Sequence, residues 1–297
     1  MLRALRRKAG GVFNYSDYKK PAFKIIYSIM LFLLFAAVLT ALTPPLWLFI
    51  SSFKEAEELT AVPYKLFPEA FRIGKIVEVW RMLNFGKYFL NTIIVVLGAV
   101  LCSVVFNGLL AYSFAVIKPS GYKFFYALVL FSYMLPAFSS IVPLYKSIVD
   151  LKLMNSYVPL WLMFGANAFY LMMMKNYFES IPKSIFEAAA IDKCSPFKTF
   201  FLIVLPLSKP ILSVVAIFTM TAAWSDFLLP YLVLNDSDMM TIMVKIYDLK
   251  TTMGNVQGFG PDKLLMVLTI SILPQILIFI LFQKRITANA YMGAIKE

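Results

Sequence analysis

Ile181–Pro210 reads IPKSIFEAAAIDKCSPFKTFFLIVLPLSKP, a polar-tinged segment set between two strongly apolar runs. Pro182 fits the first turn of a helix, where an N–H has no intrahelical partner in any case. Ser184 to Lys193 reads as a short helix. Ser195 followed by Pro196 is a cap-plus-proline start for a second one. Pro206 and Pro210 bracket the entry to the next apolar run. The reading is helix, bend, helix, between two membrane spans. Ala188, Ala189 and Ala190 leave part of the first helix bare, flanked by Glu187 and Asp192. Ile185, Phe186 and Ile191 supply apolar surface. Such a helix suits docking into a partner's cleft. The competing reading is an amphipathic helix lying on the membrane surface.

Outward from this segment the chain is hydrophobic. Of its 297 residues 61% are hydrophobic and 15% charged, against about 45–50% and about 25% in soluble domains. That is a polytopic membrane protein. The net charge of +12 is spread along the loops and is explained by membrane topology rather than nucleic-acid binding. Cys102 falls within a span and Cys194 in the central loop, so no disulfide joins them. The absence of His excludes a Ser-His-Asp triad and His-based zinc sites. No metal site and no catalytic residue is expected.

Six spans follow from the apolar runs: about Ile25–Ser51, Tyr88–Ile117, Lys123–Leu144, Tyr157–Tyr177, Leu207–Leu234 and Leu264–Phe282. A basic arm, residues 1–24, precedes them and a tail, 283–297, follows. The first run is too long for a signal-peptide core and is expected to be retained. Pro44-Pro45 is expected to kink span one. Pro136 and Pro143 fall inside span three, and Pro274 is expected to interrupt span six. Asn91, Gly98, Ser103, Asn107 and Gly108 mark a face of span two packed on other helices. Met172–Met174 are gap fillers. Leu66–Trp80 in the first outer loop reads as a turn and a short amphipathic helix. Both ends fall on one side of the membrane. That side carries seventeen Lys and Arg against eleven opposite, and five acids against ten. Both termini and the central loop are therefore expected in the cytoplasm.

The central segment resembles the EAA loop of membrane subunits of binding-protein-dependent ABC importers, whose pattern is E-A-A, two residues, D-G, then about nine to I-x-L-P. Glu187, Ala188, Ala189, Asp192, Ile203, Leu205 and Pro206 match. Lys193 replaces the glycine, and a lysine in the left-handed bend would cost roughly 1 kcal/mol. Ser51–Lys54, Lys87–Val96, Leu110–Ala115, Met134–Tyr145 and the tail resemble the maltose-type second permease subunit of the carbohydrate importers. Ala222–Leu234 does too, with Ser225 where the family pattern W-N-[DE]-F has Asn.

The resemblance implies an all-α integral membrane protein with the type I importer permease fold, the EAA loop spanning about 178–206 of a permease domain 25–282. It implies coupling to an ATPase through Ile185, Phe186, Glu187, Ala188, Ala189, Asp192 and Lys193. It implies a homologous second permease, two ATP-binding subunits and an extracytoplasmic solute-binding protein, in a bacterial-type cell membrane. In that family the first outer loop docks the binding protein, and the second reaches towards its sugar site. No phosphate-cradling G-x-x-x-x-G-K-[ST] loop occurs in the chain; Gly258 and Gly260 form only a lone G-x-G. ATP and Mg are thus expected in the partner ATPase and no cofactor in this chain, which is not itself an enzyme. The expected substrate is a sugar or oligosaccharide; the alternatives are a non-sugar solute, or a secondary carrier driven by an ion gradient. Aromatic and amide groups suit sugar rings and hydroxyls, which nominates Asn167, Tyr170, Trp224, Asp226 and Tyr231 along the pathway. Asp226 is the one carboxylate within a predicted span.

Overall fold

The computed structural model describes residues 21–252 and 258–294. The basic arm up to Lys20, the second-loop residue Gly254 and the last three residues lie outside the described residues. No strand occurs among those described. The chain divides into two units, residues 1–72 and 73–297.

The first unit is built on α1, Pro21–Ser51. Its stretch Phe23–Ser51 is long and apolar enough to cross a membrane. The helix runs on through Pro44 and Pro45, where a kink was expected. The hydroxyls of Thr40 and Thr43 donate to the carbonyls of Ala36 and Leu39, the usual local bond of such residues within membrane helices. Beyond it, α2 (Ala56–Thr60) begins with the Glu58 carboxylate accepting the Glu55 N–H. The Trp47 indole donates to the Tyr64 hydroxyl at 2.9 Å. The Lys54 ammonium lies 4.0 Å from the Tyr64 ring centre and donates to the Lys65 carbonyl. A hydrogen bond from Lys54 holds the Tyr64 phenol below its ordinary pKa.

The second unit opens with the amphipathic helix α3, Gly74–Met82. Span two follows as α4, Phe85–Ile117, with π-turns at Ser103–Asn107 and Ser113–Ile117. It packs against the helices of spans four and five and against the second outer loop. In lipid this packing is not driven by water, so small residues that let helices approach do much of it. A Cβ on Gly98 would lie 2.2 Å from the Trp161 indole nitrogen, and one on Gly108 3.2 Å from Phe200. Ser103 accepts from the Thr219 hydroxyl at 3.0 Å. Asn91 donates to the carbonyls of Asp238 and Met240. The face expected from Asn91, Gly98, Ser103, Asn107 and Gly108 is thus the packed one.

Three spans read as unbroken are divided. Span three is α5 (Tyr122–Tyr133) and α6 (Ile141–Asp150), with Pro136 between them. Span four is α7 (Val158–Gly165) and α8 (Ala168–Glu179). The break there was not foreseen, since Ala166 and Asn167 sit in an apolar run. It is stable because Asn107 takes up the freed backbone: its Nδ2 donates to the Phe164 carbonyl and its Oδ1 accepts the Asn167 N–H, both at 2.9 Å. The central loop carries α9 (Lys183–Ile191) and α10 (Pro196–Leu207), the latter containing a π-turn at Phe200–Val204. An 84° bend at Ser208 leads into α11, Lys209–Ser225. Span five breaks again before α12, Leu228–Val233. The second outer loop holds α13, Ile242–Thr252. Span six is α14, Pro261–Ala294; it passes through Pro274 without the expected interruption and takes in most of what was read as a tail.

Two buried clusters hold this unit together. One gathers Tyr112, Phe114, Tyr170, Met174, Phe178 and Phe200 towards the central-loop end. The other gathers Val95, Ile148, Leu160, Leu229 and Val233 towards the outer loops. Met174, fully buried, fills space as expected.

Candidate functional site

The central loop is built from its caps. The α8 helix ends at Glu179, and the Ile181 N–H bonds back to the Phe178 carbonyl. Pro182, in extended conformation, starts α9. At the other end the Cys194 N–H reaches the Ala189 carbonyl and the Lys193 N–H reaches that of Ala190, each at 3.0 Å. This crossed pair is a Schellman cap, which needs its penultimate residue left-handed. That residue is Lys193, with φ of 55°. The Ser195 side chain then accepts the Lys198 N–H and starts α10, as read from sequence.

The faces of α9 follow from this geometry. Phe186 packs onto the buried cluster below, and Ile185 is half-buried. Ala189, expected on the docking face, is turned inward and is 4% exposed. The exposed stripe is Ser184, Glu187, Ala188 and Ile191, the i, i+3, i+4, i+7 pattern of one helix face. Asp192 and Lys193, just past the helix end, and Phe197 on α10 are exposed as well. Ile191 is 81% and Phe197 68% exposed, although both are apolar. The alanine run does not mark Ser184 or Phe197; the helical spacing from Glu187 and Ala188 marks Ser184. A cleft of about 450 Å³ beside the stripe is lined by Lys118, Glu179, Lys183, Phe186 and Glu187.

Of the residues nominated for the pathway, Asn167 and Tyr170 meet directly. Asn167 caps α8, its Oδ1 accepting the Tyr170 N–H at 3.0 Å. Tyr170 is buried in the cluster with Met174 and Phe178. Trp224 is buried, donates to the Ser271 carbonyl at 3.1 Å and meets Phe89 edge-on. It also walls a cleft of about 580 Å³ with Phe89, Val96, Leu273 and Pro274, whose apolar lining offers nothing to orient a sugar hydroxyl. Asp226 stands in extended conformation at the break between α11 and α12. Tyr231 alone of the five side chains is well exposed, on the outer side of that break. The half-buried Gln275 and the exposed Ser225 are not among the nominated residues: Gln275 Nε2 donates to Ser225 Oγ at 2.6 Å. A glutamine within a span belongs towards protein or water.

Comparison with known proteins follows the same lines. Residues 105–289 match the family described as binding-protein-dependent transport system inner membrane component. The diacetylchitobiose uptake system permease protein of Streptomyces coelicolor is 29% identical, over 86% of this chain and 84% of its own. The arabinooligosaccharides transport system permease protein of Halalkalibacterium halodurans is 30% identical, over 86% of this chain and 91% of its own. Among solved structures, a chain of a bacterial ABC transporter involved in the import of the acidic polysaccharide alginate superposes with a TM-score of 0.76 at 22% identity, covering 92% of this chain and 99% of that one.

Proposed function

The chain belongs to the family of inner-membrane components of binding-protein-dependent transport systems, and from that premise we propose that it forms half of the pathway of an ATP-driven importer for a sugar or oligosaccharide. A homologous second permease supplies the other half. Two ATP-binding subunits dock in the cytoplasm and an extracytoplasmic binding protein delivers the solute. ATP and Mg sit in the docked subunits; hydrolysis is theirs and not this chain's. Both termini and the central loop lie on the cytoplasmic side, in keeping with the excess of Lys and Arg there.

The observation that carries this reading is the stripe on α9. Ser184, Glu187, Ala188 and Ile191 form an exposed face on a helix that packs on the buried cluster through Phe186 and buries Ala189. A helix so held passes a push from a docked partner into α8 and α10 on either side. Closure of the ATP-binding subunits then moves α9 as a rigid body, and the spans switch between inward- and outward-facing arrangements. The saccharide substrate is supported by the two permease relatives, whose names specify diacetylchitobiose and arabinooligosaccharides.

The test is to purify the tagged chain from native membranes and reconstitute what accompanies it. A P-loop ATPase and a second multi-span protein in the eluate, with ATP-dependent uptake of labelled diacetylchitobiose or arabinotriose, is the expected result. Uptake that runs on an ion gradient without ATP, by the chain alone, would overturn it.

A further inference from the structure

We propose that Phe227, Tyr231 and Tyr247 form a sugar-stacking platform at the outer end of span five, contributed by this subunit itself. The inference rests on the saccharide reading above and gives it a place in the chain. The break between α11 and α12 is its origin. Asp226 leaves the helical conformation there, Phe227 starts the new helix and Tyr231 falls one turn on. Their rings stack, 5.2 Å apart at 25°. The outer-loop helix α13 brings Tyr247 to both. It lies 4.9 Å from Phe227 and 5.2 Å from Tyr231, the latter pair nearly perpendicular at 74°. Two tyrosine rings at right angles make a corner.

Three aromatic rings in contact are more often core than site. Here the corner is open: Tyr231 is 45% and Tyr247 40% exposed. Neither phenol hydroxyl bonds to another described residue. A tyrosine offers a rigid apolar face and a polar tip at little conformational cost. A sugar ring presents the matching surface, with C–H groups on its faces and hydroxyls around its rim. Sites for small polar molecules pair apolar and aromatic walls with a few placed polar groups. Two residues before Phe227, Ser225 and Gln275 supply a hydrogen-bonded pair. The platform stands where the outer loop meets the span, so a sugar leaving a binding protein would meet it first. Tyr247 gives the exposed Tyr231 a second ring partner, from another element, beside its own neighbour Phe227.

The experiment uses the whole transporter with its binding protein in proteoliposomes, and diacetylchitobiose and arabinotriose as labelled probes. Sugar imported per ATP hydrolysed is measured at saturating loaded binding protein. Y231A/Y247A is expected to lower that ratio at least tenfold. Both the stimulated ATPase rate and the binding-protein concentration giving half of it should stay as in the parent. Y231F/Y247F, which keeps the rings, should recover most of the ratio. An unchanged ratio in Y231A/Y247A overturns the platform while leaving the importer reading intact. So does a loss that tracks weaker binding-protein stimulation, which makes the trio a protein contact. A parent complex that hydrolyses ATP and imports another solute but neither sugar overturns the saccharide reading, and the platform with it.

Discussion

Lys75 Nζ lies 2.9 Å from Asp262 Oδ2, and the two side chains are 3% and 7% exposed. The pair ties the outer helix α3 to the start of span six. A second bond, Lys263 to Glu78 at 2.6 Å, runs between the same two elements with Glu78 half in solvent. Gly260 makes the buried pair possible, since a Cβ there would sit 2.8 Å from the Asp262 carboxylate.

The two pairs should differ sharply on mutation. Asp262→Asn removes the carboxylate paired with the buried Lys75 ammonium, and breaking such a pair costs about 3–5 kcal/mol. Glu78→Ala removes an exposed partner and should cost about 0–1 kcal/mol. Replacing both buried members, as in Lys75→Met with Asp262→Leu, should restore much of the loss. Unfolding of the purified protein in detergent, followed by tryptophan fluorescence, reads all three. Equal losses for Asp262→Asn and Glu78→Ala would show that burial does not set the strength of these pairs.

Gly98 is a second test of packing. The Trp161 indole occupies the place its Cβ would take, at 2.2 Å. Gly98→Ala should therefore displace Trp161 and destabilise by about 1–3 kcal/mol, the usual cost of overpacking. Trp161→Leu in the same chain should relieve the clash, so the double variant should melt above Gly98→Ala alone. A Gly98→Ala melt equal to the parent would mean that spans two and four are not in contact there.

These two contacts show what the sequence made legible. The small and amide residues of span two announced a packed face, because close helix approach in lipid demands small side chains. The caps at Ser195 and the run of spans were readable for similar local reasons. The break at Ala166–Asn167 was not, since it depends on Asn107, sixty residues away. Apolar periodicity carries no sign of a distant amide that will satisfy a freed backbone. Pro274 misled in the opposite direction: a proline removes one hydrogen bond but does not oblige a helix to end. Asn167 and Trp224 have side chains suited to sugars, yet here they cap a helix and bind a carbonyl. Tyr231 gained its meaning only from Tyr247, on another element.

Lys193 carries a measurable strain. Its φ of 55° closes the cap of α9, a conformation that glycine adopts freely. Lys193→Gly should stabilise the protein by roughly 1 kcal/mol, and a β-branched Lys193→Val should destabilise it. Melting of the detergent-solubilised chain distinguishes them. A loss of stability in Lys193→Gly would show that the lysine side chain contributes more than the backbone strain it imposes.

The two neighbouring alanines of α9 separate docking from folding. Ala188 is exposed and Ala189 buried, although both match the same three-residue motif. A bulky residue at Ala188 stands on the stripe beside Glu187 and Ile191, so Ala188→Trp should leave the melt of the chain within about 0.5 kcal/mol of the parent, as for other surface changes. It should cut the amount of co-purifying ATPase at least tenfold. Ala189→Trp puts its ring instead at a buried position and should destabilise the chain by about 1–3 kcal/mol. Quantifying the ATPase in the eluate beside a melt of the permease decides the assignment. If Ala188→Trp retained its ATPase while Ala189→Trp, still folded, lost it, the inward and outward faces of the helix would have to be exchanged.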